Sequence, residues 1–509
     1  MADQGGPGGS RSSGPEPSDR NEQFEASEPT GEPSVGTAAS RGFLWANLGV
    51  FTRYASALVL AAALARLLDP TEYAVMVTLM VVTFYFDNAL DLGMGAALVY
   101  EQEKGITHRV QVAFTTTIGI TAVLATVAFL GAPFIGSHFS LPGYTTIFRL
   151  LAVVVVLSGC AAIPWSLFMR SMDFKRRAIV EVVRDLTRFV LTLGLAFAGF
   201  GPWSVIIGLI AGYFMWATMT WYFLHFRPTL AWDRSIAGEL FSFAWRMAGT
   251  RFLGVLSLNG DYVIVGNRRP DQYPLYYQAF RLPEFVMGAQ LNAMSAVLFP
   301  MYARIRSEGR VAMADALYRA MRFVALFSIP VGLGLALVAR DAILLMYGEA
   351  ADVTVMTMQV LSLTGCVVGL GFATGDLLFA IGRPGVMVRI NIVMVPVMLV
   401  AMWFVAGEGI VWVAVVHLVV ATVFTFVRQV VVNRIVGAKM VQVAGTLVPG
   451  LIVGACVTAF ALPVRLWTTT GFVPMLAIVA AGSLGGLLGL ALSPSAREQI
   501  AELVAKVRG

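Results

Sequence analysis

Apolar runs of about 20 residues follow one another almost end to end from residue 42 to residue 492, each long enough to cross a ~30 Å hydrocarbon core. Open sheet leaves backbone groups unpaired, which is too costly in lipid, so each run is expected to be a helix. Composition agrees: 58% of the 509 residues are hydrophobic, 13% are charged, and the mean hydropathy is +0.76. The runs place fourteen spans at 42–66, 73–99, 110–135, 146–169, 179–200, 202–224, 239–265, 274–303, 317–339, 353–381, 386–405, 410–432, 444–463 and 470–492.

The spans are internally repeated. Phe43, Trp45, Gly49, Pro70 and Tyr73 recur 200 residues later as Phe243, Trp245, Gly249, Pro270 and Tyr273, and Met94, Ala96 and Leu98 recur as Met294, Ala296 and Leu298. The offset joins span one to span seven. Six spans per unit is an even number, so both units insert with the same orientation: a parallel repeat with two spans appended. The expected domains are a cytoplasmic tail (1–40), an N-lobe (41–235), a C-lobe (236–440), two further spans (441–492) and a second cytoplasmic tail (493–509). Duplicated lobes around a central site are a transporter plan.

Residues 1–40 hold seven acids against two Arg amid Gly, Pro and Ser, and read as a disordered solvated extension rather than a secretory signal. The three cysteines lie far apart in apolar spans, with neither disulfide nor zinc spacing. The net charge of +6 does not call for nucleic acid, because the cations sit where membrane topology needs them. With the N-terminus inside, 22 Lys and Arg fall on the cytoplasmic side and six on the outer side: Arg66, Arg149, Arg268, Arg269, Arg340 and Arg465. The positive-inside rule therefore puts both termini in the cytoplasm. Arg outnumbers Lys 32 to four, and with abundant Ala, Val and Gly this suggests a bacterium of high GC content, hence a bacterial inner membrane.

No loop outside the membrane exceeds about a dozen residues, which leaves little room for a polymerising or ligating enzyme. A phosphate loop, a His-Glu-x-x-His helix and a Gly-x-Ser-x-Gly elbow are all lacking in the sequence. The expectation is a non-enzyme without a bound cofactor. Glycine pairs at 208/212, 365/369, 371/375, 450/454 and 482/486 give the small-residue spacing of close helix contact.

Ionisable residues deep in spans are costly and are functional candidates. Arg53 in span one, Arg246 and Arg251 in span seven and Arg281 in span eight offer planar donors matched to phosphate or carboxylate. The expectation is that they meet in one water-lined chamber and hold an anion. Asp87, Asp91, Asp261, Glu284 and Asp376 would balance that charge or bind a coupling H⁺ or Na⁺. A competing reading has Asp87 or Asp91 pairing with Arg53 simply to hold two helices together. Glu181, Arg184, Asp185 and Arg188, at helical spacing in span five, read as local ion pairs. His417 reads as a packing residue.

Residues 65–73, Ala-Arg-Leu-Leu-Asp-Pro-Thr-Glu-Tyr, followed by 91–99, Asp-Leu-Gly-Met-Gly-Ala-Ala-Leu-Val, resemble the opening of oligosaccharide-flippase-type (Wzx-like) polysaccharide transporters. Residues 276–282, Tyr-Tyr-Gln-Ala-Phe-Arg-Leu, and 297–301, Val-Leu-Phe-Pro-Met, resemble that family's eighth span. Ala74 stands where the family usually has Gly. The resemblance covers about residues 40–440 and implies membership of the multidrug/oligosaccharidyl-lipid/polysaccharide exporter superfamily. It implies an all-α MATE-like fold with two six-helix lobes. It also implies movement of a polyprenyl-pyrophosphate-linked oligosaccharide to the outer leaflet by alternating access, beside glycosyltransferases and a polysaccharide polymerase. The lipid tail would leave the chamber between spans one and eight. Alternatives are a cation-coupled drug exporter on the same fold, a membrane glycosyltransferase, and a non-transporting scaffold.

Overall fold

The computed structural model describes residues 52–90, 107–170, 173–224, 229–494 and 497, and is all-helical over them. The helices are α1 (52–67), α2 (Pro70–Leu90), α3 (Thr107–His138), α4 (Leu151–Arg170, after a short turn at Thr145–Arg149), α5 (Phe174–Phe197), α6 (Trp203–Phe223) and α7 (Arg234–Arg268). They continue as α8 (Tyr273–Ile305), α9 (Arg310–Tyr347), α10 (Asp352–Ala380), α11 (Pro384–Val405), α12 (Ile410–Val436), α13 (Met440–Trp467) and α14 (Phe472–Leu492). Among the described residues, ten helices are long and apolar enough to cross a membrane. The others are α1, described only over 52–67, and α5, α7 and α8, which carry the expected intramembrane charges. The expected tail 1–40 lies outside the described residues.

Local chemistry sets the helix ends. Pro70 opens α2, and Glu72 reaches back to accept the Asp69 backbone N–H at 3.3 Å, one half of a capping box. Asp173 caps α5 at Arg176 N (3.0 Å), and Asp233 caps α7 at Ser235 N and Ile236 N (2.8 and 3.2 Å). Gly348 and Gly437, with φ of 85° and 78°, end α9 and α12 in the left-handed region that a side chain disfavours.

Two packing groups emerge. In the first, α3 packs on α4, α4 on α6 and α5 on α6; in the second, α13 packs on α9 and α14, and α10 on α8, α9 and α12. Gly208 lets α6 press on α5, where a Cβ would fall 1.9 Å from Thr192 Oγ1. Such close approach is how helices associate in lipid, which offers no hydrophobic gain between them. On α14 the tightest approaches to α13 are at Gly485 and Gly489 rather than at the expected pair Gly482/Gly486.

The cores show how the groups meet. One buried cluster joins both groups at the end bearing the α1–α2, α7–α8 and α9–α10 turns, uniting Leu64, Tyr73, Val265, Tyr273, Ile343 and Val413. At the opposite end the core divides in two. Val112, Ile163 and Leu240 bind α3, α4 and the start of α7, whereas Leu298, Leu317, Leu377 and Val432 bind α8, α9, α10 and α12. Among the described residues, the core is shared at one end, the closed end, and split at the other, the open end.

Polar contacts tie helices together at the closed end too. Arg66 on α1 donates to the Leu345 carbonyl on α9, and His138 on α3 bonds the Val263 carbonyl on α7 at 3.1 Å. Asn267 donates to the His138 carbonyl at 3.2 Å.

Candidate functional site

Charged side chains from α1, α2, α5, α8 and α10 make the polar contacts within the spans. On α1, Arg53 is about half exposed (48%), and its Nη2 lies 3.5 Å from Glu181 Oε2 on α5. Glu181 is only 8% exposed and also takes Arg177 Nε at 3.5 Å, so two cations share one buried carboxylate. One turn on, Arg184 Nε meets Asp185 Oδ1 at 2.8 Å. Arg53, Ser56, Asp185, Arg188 and Phe189 line a half-open hollow of about 40 Å³, enough for water but not for a sugar. The charged face of α5 thus supplies more than ion pairs along its own length, because Glu181 reaches α1.

Asp87 on α2 accepts the Tyr213 hydroxyl from α6 and the Ser158 hydroxyl from α4 at 3.1 Å. Arg53 meets Glu181 instead, so the two residues have separate partners. On α8, Arg281 donates from Nη1 to Glu284 at 2.7 Å and from Nη2 to the Tyr277 hydroxyl. Its guanidinium lies over the Tyr277 ring, 4.2 Å from the centroid, and its Nε is buried without a hydrogen-bond partner. Tyr54, beside Arg53, packs against Phe285, beside Glu284, with ring centroids 6.2 Å apart. That contact brings α1 onto α8, the two helices between which the lipid tail is expected to leave.

Asp261 is 1% exposed and accepts the Tyr276 hydroxyl at 2.7 Å within the closed-end core. Asp376 lies toward the open end, accepting the Ser295 hydroxyl at 3.0 Å, and its Oδ2 is buried without a partner. Arg246 and Arg251 stand on the α7 helix, but their side chains lie outside the described residues, as does Asp91. The expected gathering of free guanidiniums is therefore, for the two whose side chains are described, a pair of ion pairs.

On the closed-end turn between α7 and α8, Arg269 holds Asp271 through two bonds of 3.1 Å and donates to the Gly407 carbonyl at 3.1 Å. The Arg269 guanidinium beside Asp271 holds its carboxyl below the ordinary value of 3.8.

Sequence reasoning did not single out Glu181 as the partner of Arg53, nor Tyr213 and Ser158 as donors to Asp87, nor the Tyr277 hydroxyl as an acceptor from Arg281. Arg428 on α12 was counted among the flanking cations, yet it lies inside the second group against Gly371 and Thr425.

A bundle of long apolar helices in two packing groups, with charged side chains held in ion pairs within its spans, defines a multi-pass membrane protein of the transporter kind. The chain belongs to the family described as "Polysaccharide biosynthesis protein", whose sequence profile matches residues 63–356. It is 23% identical over 363 residues to lipopolysaccharide biosynthesis protein WzxC of Escherichia coli, covering 69% of this chain and 72% of that one. To teichuronic acid biosynthesis protein TuaB of Bacillus subtilis it is 22% identical over 364 residues, covering 69% and 73%. The fold matches the lipid II flippase MurJ in an inward closed conformation with a TM-score of 0.72 at 13% identity, over 88% of this chain and 98% of that one. It also matches an inward-facing MATE-family multidrug resistance transporter with a TM-score of 0.62 at 14% identity, over 75% and 94%.

Proposed function

We propose that the protein is a flippase that carries a polyprenyl-pyrophosphate-linked oligosaccharide from the cytoplasmic to the outer leaflet by alternating access. In this reading all fourteen helices span a bacterial inner membrane with both termini in the cytoplasm. They form two six-helix lobes and two appended helices, and the open end faces the cytoplasm. The observation that carries the reading is the pairing of a closed-end core common to both groups with divided open-end cores. A hollow open at one end admits a polar cargo on one side of the membrane while hiding it from the other. The resemblance and the named relatives supply the cargo class.

Arg53, Arg246, Arg251 and Arg281 would receive the phosphates. Arg53 and Arg281 already hold Glu181 and Glu284, so each of these two guanidiniums has a carboxylate partner before the cargo arrives. Arrival of a phosphate exchanges the partner: the guanidinium turns its fork to the phosphate, and the released carboxylate is free to take H⁺ or Na⁺. Asp87, Asp91, Asp261 and Asp376 complete the set of counter-charges. A coupled ion brings about 2.3 kcal/mol per charge per 100 mV, while turning a two-state carrier from 1:99 to 99:1 needs ~5.5 kcal/mol. Two coupled ions supply about 4.6 kcal/mol at 100 mV, and a concentration gradient of the same ion makes up the remainder. Glycosyltransferases and a polymerase would work on either side of the step.

The test is export of surface polysaccharide in cells carrying Arg251→Ala or Arg281→Gln at normal membrane abundance. Both variants should lose export. Export at the normal rate in both would refute the role given to these arginines.

A further inference from the structure

Arg184, Arg281 and Arg465 each meet a carboxylate, at 2.8, 2.7 and 3.5 Å respectively. Arg428 meets none. Its Nε is buried without a hydrogen-bond partner, its Nη2 has only the Thr425 hydroxyl at 3.4 Å, and its Nη1 has only the Met387 sulfur at 3.8 Å. From α10 through α12 the sequence holds three acids. Asp352 and Glu408 sit at the closed end, and Asp376 accepts from Ser295 of α8 on Oδ1 and forms no ion pair with Arg428. The same stretch carries Arg383, Arg389 and Arg434 toward the open end, so the surroundings are cationic throughout.

Depth matters next. Arg428 lies eight residues before the end of α12, about 12 Å along a helix of ~40 Å. A long cation at that depth ordinarily extends its head toward the membrane surface. This one does not. Its guanidinium presses on α10 at Gly371, nine residues (about 14 Å) before that helix ends, and a Cβ there would lie 1.9 Å from Nη2. Gly371 is therefore the residue that admits the guanidinium between α10, α11 and α12. The chain builds a slot for a permanent charge and gives it a hydroxyl, a thioether and no counter-ion.

We propose that Arg428, with Thr425 and the opening at Gly371, is a phosphate seat in the second packing group, separate from the pairs at Arg53 and Arg281. A planar guanidinium lacking its anion matches a phosphate oxygen pair, and the Thr425 hydroxyl supplies a further donor. The seat lies deeper than the phosphates of the adjoining leaflet, which favours the phosphate of a lipid-linked cargo in passage over a resident headgroup. That choice of source rests on the flippase reading.

The purified protein is loaded in turn with a polyprenyl phosphate, phosphatidylglycerol and inorganic phosphate, and retention is read by native mass spectrometry. The variants are Arg428→Gln and Gly371→Ala, with Arg310→Gln on the exposed first turn of α9 as the control. Gly371→Ala keeps the charge but displaces it, so loss there reports the seat and not the net charge. Retention of the polyprenyl phosphate should fall about tenfold or more in both seat variants and stay unchanged in the control. The same loss seen with phosphatidylglycerol supports the seat and assigns it to a bilayer lipid; the loss with inorganic phosphate alone assigns it to the free ion. Equal retention of all three probes by wild type and Arg428→Gln overturns the proposal, provided the variant elutes as a single folded species. If Arg428→Gln fails to fold, the Gly371→Ala comparison decides in the same way. Unchanged retention beside intact wild-type export refutes the seat and leaves the flippase standing. Loss of retention in a protein whose wild type exports nothing refutes the flippase and leaves the seat.

Discussion

Arg281 uses its charge toward Glu284, its second nitrogen toward the Tyr277 hydroxyl and its plane over the Tyr277 ring. Lysine reproduces only the first of these. Arg281→Lys is expected to fold and reach the membrane yet export at least ~10-fold more slowly, measured as surface polysaccharide per unit of transporter. Glu284 predicts the opposite sign at the binding step. If it competes with phosphate for Arg281, Glu284→Gln should tighten retention of a polyprenyl phosphate in native mass spectrometry while slowing export, because release loses its competitor. Weaker retention in Glu284→Gln would end the exchange scheme. At this scale the sequence marks which residues are costly but not whom they meet. Arg53 and Asp87 stand out as charges within apolar runs. Their partners Glu181, Tyr213 and Ser158 come from helices distant in the chain, and no spacing rule connects helices whose packing is unknown.

The elements were far more legible, because an apolar run in lipid has almost no alternative to helix. Within the described residues each expected span falls on a helix, and the helix bounds follow Asp233, Pro70 and Gly437, whose capping chemistry is local. The sequence did not reveal that α14 turns Gly485 and Gly489, rather than Gly482 and Gly486, toward its neighbour, since small residues stand on both faces. Helix contact yields a direct prediction at α5–α6. A Cβ at Gly208 would meet Thr192 Oγ1 at 1.9 Å, so Gly208→Ala is expected to destabilise the purified protein by roughly 1–3 kcal/mol through overpacking. Combining it with Thr192→Ala should recover most of that loss in thermal unfolding, a coupling that two independent sites would not show. The turn between α7 and α8 predicts a pH effect. Arg269 holds the Asp271 carboxyl below 3.8, so this tie stabilises the fold fully above that value and is lost as pH falls through the lowered one. Asp271→Asn should remove this part of the acid dependence with little change at neutral pH, because exposed pairs are worth ~0–1 kcal/mol and are screened by salt. Thermal melts at pH 7 and pH 3 with and without added salt provide the check.

For the whole molecule, one shared core and two divided ones mean that opening the other side requires breaking the shared core. That core holds Tyr73, Tyr262, Tyr273 and Tyr276, with Tyr262 and Tyr276 ring centroids 5.5 Å apart. Packed interfaces of this kind switch between discrete arrangements rather than stretch. The polar ties at its rim, Arg66 to Leu345 and His138 to Val263 and Asn267, join α1 to α9 and α3 to α7, and the proposed alternating access requires them to part. A covalent bond at the same place should therefore hold the molecule in its present state. Cysteines replacing His138 and Asn267, in a chain whose Cys160, Cys366 and Cys456 are made Ser or Ala, are close enough in the closed form to be joined by a short bifunctional thiol reagent. Under alternating access, joining them should stop export, and a cleavable reagent should restore it on reduction, while either single cysteine variant exports before and after treatment. Full export by the joined protein would mean that the closed end never opens and that the cargo crosses by another path.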